Sequence, residues 1–177
     1  MTTKKIGTQT AAMANPPSLA AWANVAGKKE GEGPLAATFD YIDGDDTFGE
    51  STWEKSESAM QKQALTLALN KAGQAASALD WLFSGDLLNQ CIGSSFAARG
   101  QEVPFFSLYG ACSTMGEGLA LAAMTLDGGF GEWAAVTASS HFCSAERQYR
   151  TPLEYGGQRT PTSQWTATAA GAAVLAR

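Results

Sequence analysis

Short apolar runs alternate along this chain with segments that carry helix signals, and this alternation limits the possible folds more than any other feature. The predicted strands cover residues 19–27, 80–85, 103–109, 132–139 and the end of 165–177. The predicted helices cover residues 53–72, 89–99 and 114–127. Strands that alternate with helices form βαβ units and a largely parallel sheet. We therefore expect an α/β fold with the order βαβαβαββ and a mixed, mostly parallel five-stranded sheet.

The helix over residues 53–72 has the clearest boundaries. Ser51 followed by Glu54 predicts a capping box at its start, and Gly73 predicts its end. The segment before it, residues 28–50, is polar and rich in glycine and aspartate. It predicts a long loop, and loops of such length are usually functional or contact a partner.

Composition and charge exclude several classes of protein. The net charge is -5, and all seven lysines lie at or before Lys71, so nucleic acid is disfavoured as a partner. The most apolar window, residues 118–126, has about half the length that a membrane span needs. Residues 15–17, Asn-Pro-Pro, interrupt the only stretch that could form a signal peptide. Three widely spaced cysteines suit reduced thiols, so we expect an intracellular protein without signal peptide or transmembrane segment.

Cys112 lies in the turn GACST, between a predicted strand and a predicted alanine-rich helix. The small residues around it allow a sharp turn, so the pattern indicates a nucleophile elbow with sulfur as the nucleophile. A thiol at a helix N-terminus feels the positive end of the helix dipole, which favours the thiolate. The alternative is a buried cysteine that only packs, and the residues alone leave both interpretations open.

The second half of the chain has a characteristic order of predicted elements. It contains a strand, the GACST turn, a helix rich in glycine and alanine, a strand, and a closing AAGAAVL strand. In this order the chain resembles the N-terminal half of the thiolase and ketoacyl-synthase superfamily. The resemblance implies a thiolase-like half-domain over residues 1–177, which is one half of a five-layered αβαβα architecture. It also implies that the C-terminal half is absent from this chain.

The chain also contains several longer, unusual strings. They are EGEGPL at 30–35, FGESTWEK at 48–55, SGDLLNQ at 84–90, GACSTMGEGLALA at 110–122, SSH at 139–141, AERQYR at 145–150 and EYGGQRTPTSQWT at 154–166. From about Asn15 to the end, the chain thereby resembles one family of this superfamily, the stage V sporulation protein AD family of endospore-forming bacteria.

This second resemblance implies a binding protein that is not an enzyme. The family binds dipicolinic acid, pyridine-2,6-dicarboxylate, and supports its uptake into the developing spore with membrane proteins of the same sporulation channel. Such a protein would lie at the periphery of the inner spore membrane, with Cys112 lining the ligand site and no cofactor. The alternative is an acyltransferase or condensing enzyme in which Cys112 is the catalytic acyl acceptor, with basic partners from the absent half.

His141 is the only histidine, and it is therefore the only imidazole that could activate Cys112. In the strand order expected from the superfamily, two strands separate the third from the fourth, and their ends lie about 14 Å apart. We therefore expect no direct contact between Cys112 and His141. His141 either bonds nearby backbone at a strand end or binds a ligand carboxylate. His141 and Cys143 lack a second pair of metal ligands at suitable spacing, so no metal site is predicted.

Three of the five arginines, Arg147, Arg150 and Arg159, fall within 13 residues. Guanidinium groups bind carboxylates through paired, charge-assisted hydrogen bonds, so these arginines are candidate ligands of a dicarboxylate. The alternative is a solvated loop whose arginines pair with Glu146 and Glu154.

The superfamily resemblance also implies a homodimer. Its members pair through the third strand of this half, here from Pro104 to Tyr109, whose free edge would otherwise promote aggregation. Their two halves stack central helices, so the helix over residues 114–127 would face the absent half. We therefore expect the isolated chain to self-associate.

Overall fold

The computed structural model describes residues 4–88, 90–149, 162 and 164–177. Its strands are, in chain order, β1 Lys5–Ile6, β2 Thr10–Ala11, β3 Ser18–Ala26, β4 Tyr41–Ile42, β5 Trp81–Asp86, β6 Phe105–Leu108, β7 Trp133–Ser140 and β8 Ala169–Ala176. Its helices are α1 Lys28–Gly31, α2 Trp53–Ala72, α3 Ile92–Ala98, α4 Thr114–Asp127 and α5 Phe142–Tyr149.

Six strands form the main sheet in the order β4-β3-β8-β7-β5-β6, and β1 pairs with β2 in a separate hairpin. Strand β8 runs antiparallel to both of its neighbours, whereas every other pair in the main sheet is parallel. The predicted α/β class and mostly parallel sheet are confirmed. The predicted number of five strands is wrong, because Tyr41 and Ile42 add a short sixth strand at the β3 edge.

The strand order corrects a second expectation. Only β5 lies between β6 and β7, whereas we expected two intervening strands. At the usual spacing between strands, the ends of β6 and β7 are about 10 Å apart, and not 14 Å. The sheet therefore brings the Cys112 turn closer to the end of β7 than the sequence indicated.

Two layers of core residues flank the sheet, as the alternating side chains of its strands require. Helices α2 and α3 cover one face, where Leu82 and Ala135 join the buried stripe of α2. Helix α4 covers the other face against Phe83 and Val136. Adjacent residues of one strand thus belong to different layers.

Local details differ from the predictions in two further places. Helix α2 is capped by Thr52, whose hydroxyl accepts a hydrogen bond from the Lys55 N–H, so the expected Ser51 cap is wrong. The expected loop over residues 28–50 contains the short helix α1, a 3₁₀ turn and strand β4. Within the part of the chain that the structure describes, no helix is long and apolar enough to cross a membrane.

Candidate functional site

The carboxyl ends of three parallel strands, β5, β6 and β7, lie side by side along one end of the sheet. We call this line of strand ends the carboxyl edge. The start of antiparallel β8 lies at this edge too, because Ser140 of β7 pairs with Ala169 of β8. Asp86 and Ser139 are the last paired residues of β5 and β7, and they lie side by side at this edge. Ligands of open α/β sheets bind beyond the carboxyl ends of the strands, so we expect a ligand site at this edge.

Cys112 lies at this edge, in a 3₁₀ turn over Ala111–Ser113 that leads directly into α4. Its thiol is free and exposed, which answers the question that the sequence left open between a packing and an accessible cysteine. Ala111 has a φ of 48°, in the left-handed region that a residue with a Cβ rarely adopts. The Thr114 hydroxyl donates to the Ala111 carbonyl at 2.9 Å and stabilises the turn. The result is a sharp, strained elbow that presents the thiol.

Gly85 of β5 makes room for this turn. A Cβ at that position would overlap the Leu108 carbonyl oxygen and would lie 2.5 Å from Cγ2 of Thr114. The close approach of β5, β6 and the first turn of α4 therefore depends on the absence of a side chain at Gly85.

An open cavity of about 390 Å³ lies beside the thiol. Its described lining residues are uncharged, and most of them are small or carry a hydroxyl. They include Cys112 and Thr114 at the start of α4, Ser139 and Ser140 at the end of β7, and Thr166 before β8. The cavity is thus lined by small and hydroxyl-bearing residues and lies beside the N-terminus of α4.

Two tyrosines flank this cavity at Leu87, which is one of its lining residues. The Tyr149 hydroxyl donates to the Leu87 carbonyl at 2.7 Å and lies 3.1 Å from the Tyr109 hydroxyl. Burial and the hydrogen bond to Tyr109 raise the pKa of Tyr149 to about 12. Tyr149 is therefore protonated at physiological pH, and it ties α5 to the chain that follows β5.

His141 follows β7 and is only 1% exposed. Its Nδ1 accepts a hydrogen bond from the Cys143 N–H at 3.2 Å, so the proton of the neutral ring is on Nε2. Nε2 then donates to the Asp46 carbonyl at 3.0 Å, and the Trp53 ring packs 5.2 Å from the imidazole. Both ring nitrogens contact backbone, and His141 is not among the described residues that line the Cys112 cavity.

Arg147 lies on α5 and forms an ion pair with Glu54 of α2. It lines a separate hollow of about 310 Å³, together with Gln90 and Gln148. Arg150 and Arg159 lie outside the described residues. The structure therefore does not bring Cys112, His141 and Arg147 together in one cavity.

A buried acid at the same edge was missed by the sequence analysis. Glu57 of α2 is 1% exposed, and its two carboxyl oxygens accept hydrogen bonds from Ser139 at 2.9 Å and from Ser144 at 3.0 Å. The Gln61 side-chain amide donates to Ser139 Oγ at 3.1 Å. The helical spacing could have predicted its burial, because Glu57 lies three residues before Met60, on the buried face of α2.

Burial, followed by the charge of Asp86, raises the pKa of Glu57 from 4.5 to about 7. The hydroxyls of Ser139 and Ser144 oppose this shift but do not cancel it. Asp86 itself is buried, and it accepts hydrogen bonds from the Ser94 N–H and hydroxyl at 2.7 and 2.8 Å. Two carboxyl groups thus lie below the edge that carries Cys112.

Residues 7–177 match the family described as stage V sporulation protein AD. The chain belongs to this family. Stage V sporulation protein AD of Bacillus subtilis (strain 168) is 38% identical over 174 residues, which cover 98% of this chain and 52% of that protein. The chain therefore spans about half the length of this relative.

Solved structures show the fold. The 3-oxoacyl-(acyl carrier protein) synthase III of Xanthomonas oryzae pv. oryzae is 20% identical, with a TM-score of 0.60 over 92% of this chain and 56% of that one. OleA of Xanthomonas campestris, solved with bound lauric acid and lauroyl-CoA, is 18% identical, with a TM-score of 0.59 over 92% and 57%. This sporulation protein therefore has the thiolase-like fold of ketosynthases.

Proposed function

We propose that this member of the stage V sporulation protein AD family binds dipicolinic acid in the Cys112 cavity and supports its uptake into the developing spore without catalysing a reaction. The observation that carries this proposal is the open cavity beside an exposed thiol at the start of α4. Its volume of about 390 Å³ lies in the range of small-molecule sites, which begins at about 300 Å³.

The chemistry of the cavity suits an anion. None of its described lining residues is charged, and Thr166 among them carries a hydroxyl group, which can donate a hydrogen bond. The N-terminus of α4, a helix of 14 residues, favours negative charge through its dipole. We assign Cys112 a lining role in this cavity.

The environment of His141 argues against its acting as the base for Cys112. Acyl transfer needs a base within hydrogen-bond distance of the thiol, about 2.6–3.2 Å. Both imidazole nitrogens of His141 instead contact the backbone of Asp46 and Cys143. Among the residues that the structure describes, no hydrogen bond joins the Cys112 thiol to a basic side chain.

The carboxylates of dipicolinate also need cationic partners. We propose Arg150 and Arg159 for this role, because they follow α5 closely in sequence and carry the planar donors that carboxylates prefer. Arg147 is a weaker choice, since it would have to leave Glu54 first. His141 would support the site indirectly, by holding the start of α5 in place.

Calorimetry with dipicolinic acid on protein expressed from its entire reading frame tests this proposal. We expect saturable binding that is lost when Cys112→Trp fills the cavity. Cys143→Ala is the matched control, because Cys143 is half-buried and is not among the described lining residues. No heat with the ligand in millimolar excess would refute the proposal.

An acyltransferase or condensing enzyme is the second candidate. The exposed thiol on the strained Ala111 elbow favours it, since this geometry suits a nucleophile. Mass spectrometry after incubation with acyl-CoA discriminates between the two. An acyl adduct on Cys112 that Cys112→Ser removes would support the enzyme, whereas an unmodified thiol would support the binding protein.

We further propose that membrane proteins of the same sporulation channel hold this protein at the inner spore membrane. The segment over residues 28–50 is the candidate contact, because α1, a 3₁₀ turn and β4 hold it on the surface beside β3. Deletion of residues 32–39 should abolish co-purification with those membrane proteins but preserve dipicolinate binding. Retained co-purification would exclude the segment as the contact.

A further inference from the structure

Ser139 lies between the Cys112 cavity and the buried face of α2. It lines the Cys112 cavity at the end of β7, and its hydroxyl also contacts the buried polar groups of α2. It is thus the described residue that joins the cavity to Glu57 by a direct hydrogen bond.

The two hydrogen bonds of Ser139 leave its hydroxyl with one unused lone pair and no unused proton. A serine hydroxyl has one proton to donate and two lone pairs to accept with. In the structure the proton goes to Oε1 of Glu57, and one lone pair accepts from the Gln61 amide. While Glu57 is ionised, Ser139 can therefore offer the cavity only an acceptor, which repels a carboxylate.

Protonation of Glu57 reverses this polarity. The carboxylic acid becomes a donor to Ser139 Oγ, which then accepts from Glu57 and from Gln61. The Ser139 proton is released from Glu57 and is free to point to the cavity. Rotation about a single Cβ–Oγ bond is sufficient, so no backbone movement is needed.

We propose that Glu57 and Ser139 form a proton-controlled switch that makes the Cys112 cavity accept a carboxylate ligand only when Glu57 is protonated. This inference rests on the proposed function, because it assumes that the anion binds in that cavity. Binding then takes up one proton whenever Glu57 starts ionised.

The charged and titratable groups around Glu57 agree with this role. Asp86 of β5 faces it with a second carboxylate, and Glu54 lies one turn earlier on α2. Arg147 of α5 is paired with Glu54, and the His141 ring is bonded to Asp46 and Cys143. Among the described residues, no ion pair includes Glu57, so its uncharged form is favoured near pH 7.

Calorimetry with dipicolinic acid between pH 6 and 8.5 tests the switch. Above about pH 6 the ligand's own carboxyl groups stay ionised, so changes in affinity report the protein. If binding requires protonated Glu57, affinity falls about tenfold for each pH unit above 7, or about 30-fold by pH 8.5. Titrations in buffers of different ionisation enthalpy should show the uptake of one proton at pH 8.

Three variants separate the switch from a general effect of charge. Glu57→Gln cannot titrate, so its affinity should not change over this pH range. Ser139→Ala removes the contact with the cavity and should also abolish the pH dependence. Ser144→Ala is the matched control, because Ser144 donates to the same carboxyl group but is absent from the described cavity lining. It should keep the tenfold slope.

The outcomes distinguish the inference from the function on which it rests. Binding of equal affinity at pH 6 and pH 8.5 would overturn the switch and leave the proposed function standing. A pH dependence that survives in Ser139→Ala would overturn it as well. No binding at any pH would refute both. A ¹³C carboxyl NMR titration in which Glu57 stays ionised down to pH 6 would refute the switch without any ligand.

Discussion

The Ser139 hydroxyl donates to Oε1 of Glu57 across 2.9 Å and joins the end of β7 to the buried face of α2. Ser139 and Glu57 are 82 residues apart in the chain. The hydrogen bond places an acid whose pKa is raised to about 7 directly below the Cys112 cavity.

We expect Glu57→Gln to stabilise the fold above pH 7. The pKa of Glu57 rises from 4.5 to about 7 on folding, so between these values the folded state binds a proton that the unfolded state does not. Stability therefore falls as pH rises through this window, and the loss is complete above about pH 7. The full effect is on the order of 3 kcal/mol for a shift of this size.

Urea unfolding of the wild type and of Glu57→Gln at pH 5 and pH 8 measures this difference. The free energy of unfolding of the variant, relative to that of the wild type, should be larger at pH 8 than at pH 5. A difference that stays constant with pH would show that Glu57 ionises with its ordinary pKa in the folded state.

Gly85→Ala should disturb the Cys112 turn. The new Cβ would overlap the Leu108 carbonyl oxygen, which belongs to backbone and cannot simply rotate away. We expect a loss of about 2 kcal/mol or more, because overpacking at a buried position forces the backbone to shift. The rate of Cys112 alkylation should change as well.

Gly116→Ala is the matched control for this prediction. Gly116 lies on α4, one turn after Cys112, and a Cβ there would meet nothing within 4 Å. Alanine favours a helix over glycine, so this variant should gain about 0.5–1 kcal/mol. Thermal unfolding of both variants provides the comparison, and equal stability of the two would contradict the steric role of Gly85.

His141→Phe should lower stability without changing the reactivity of Cys112. The substitution leaves the partly buried Asp46 carbonyl and Cys143 N–H without their partner, which costs about 1–3 kcal/mol. The alkylation rate of Cys112 by iodoacetamide between pH 6 and 9 should match the wild type. A strongly slowed rate would show that His141 activates the thiol after all.

Local patterns were sufficient to predict the long elements of the fold. The limits of α2 and α4 agree with those expected from the apolar stripe and the flanking glycines. The capping residue of α2 differs, because Ser51 and Thr52 are both good caps and only the geometry of the turn selects Thr52.

Tertiary contacts decided what the sequence analysis missed. The partners of Glu57 are Ser139 and Ser144, more than 80 residues away, and no local pattern relates them. The strand order likewise depends on which strands pack together, and the insertion of β8 between β3 and β7 cannot be derived from hydrophobic spacing. Cys112 was singled out correctly as a residue in a turn, but its accessible thiol is a property of the folded edge.

The protein expressed from its entire reading frame should form a dimer through β6, whose one described neighbour in the sheet is β5. The unpaired edge of β6 can pair with the same strand of a second copy. Ser107→Arg places a charge on the exposed part of this strand and should yield monomers in sedimentation at micromolar concentration. Lys62→Arg, on an exposed position of α2, is the control and should remain dimeric. A monomeric wild type would contradict the proposal.

Helix α4 turns an apolar surface away from the sheet. Met124 is 57% exposed, and Phe130, just after the helix, is 71% exposed. We expect the 177-residue chain, expressed alone, to self-associate through this surface despite its net charge of -5. Met124→Lys should reduce that association, because a charged side chain there is costly to bury against another apolar surface.

Light scattering at increasing concentration measures the association of the wild type and of Met124→Lys. The matched control is Thr66→Lys, which adds the same charge to an exposed position of α2. A general effect of net charge would make the two variants equally soluble, whereas association through α4 would be relieved by Met124→Lys alone. A wild-type chain that remains monomeric at high concentration would refute the prediction, because the surface of α4 would then need no partner.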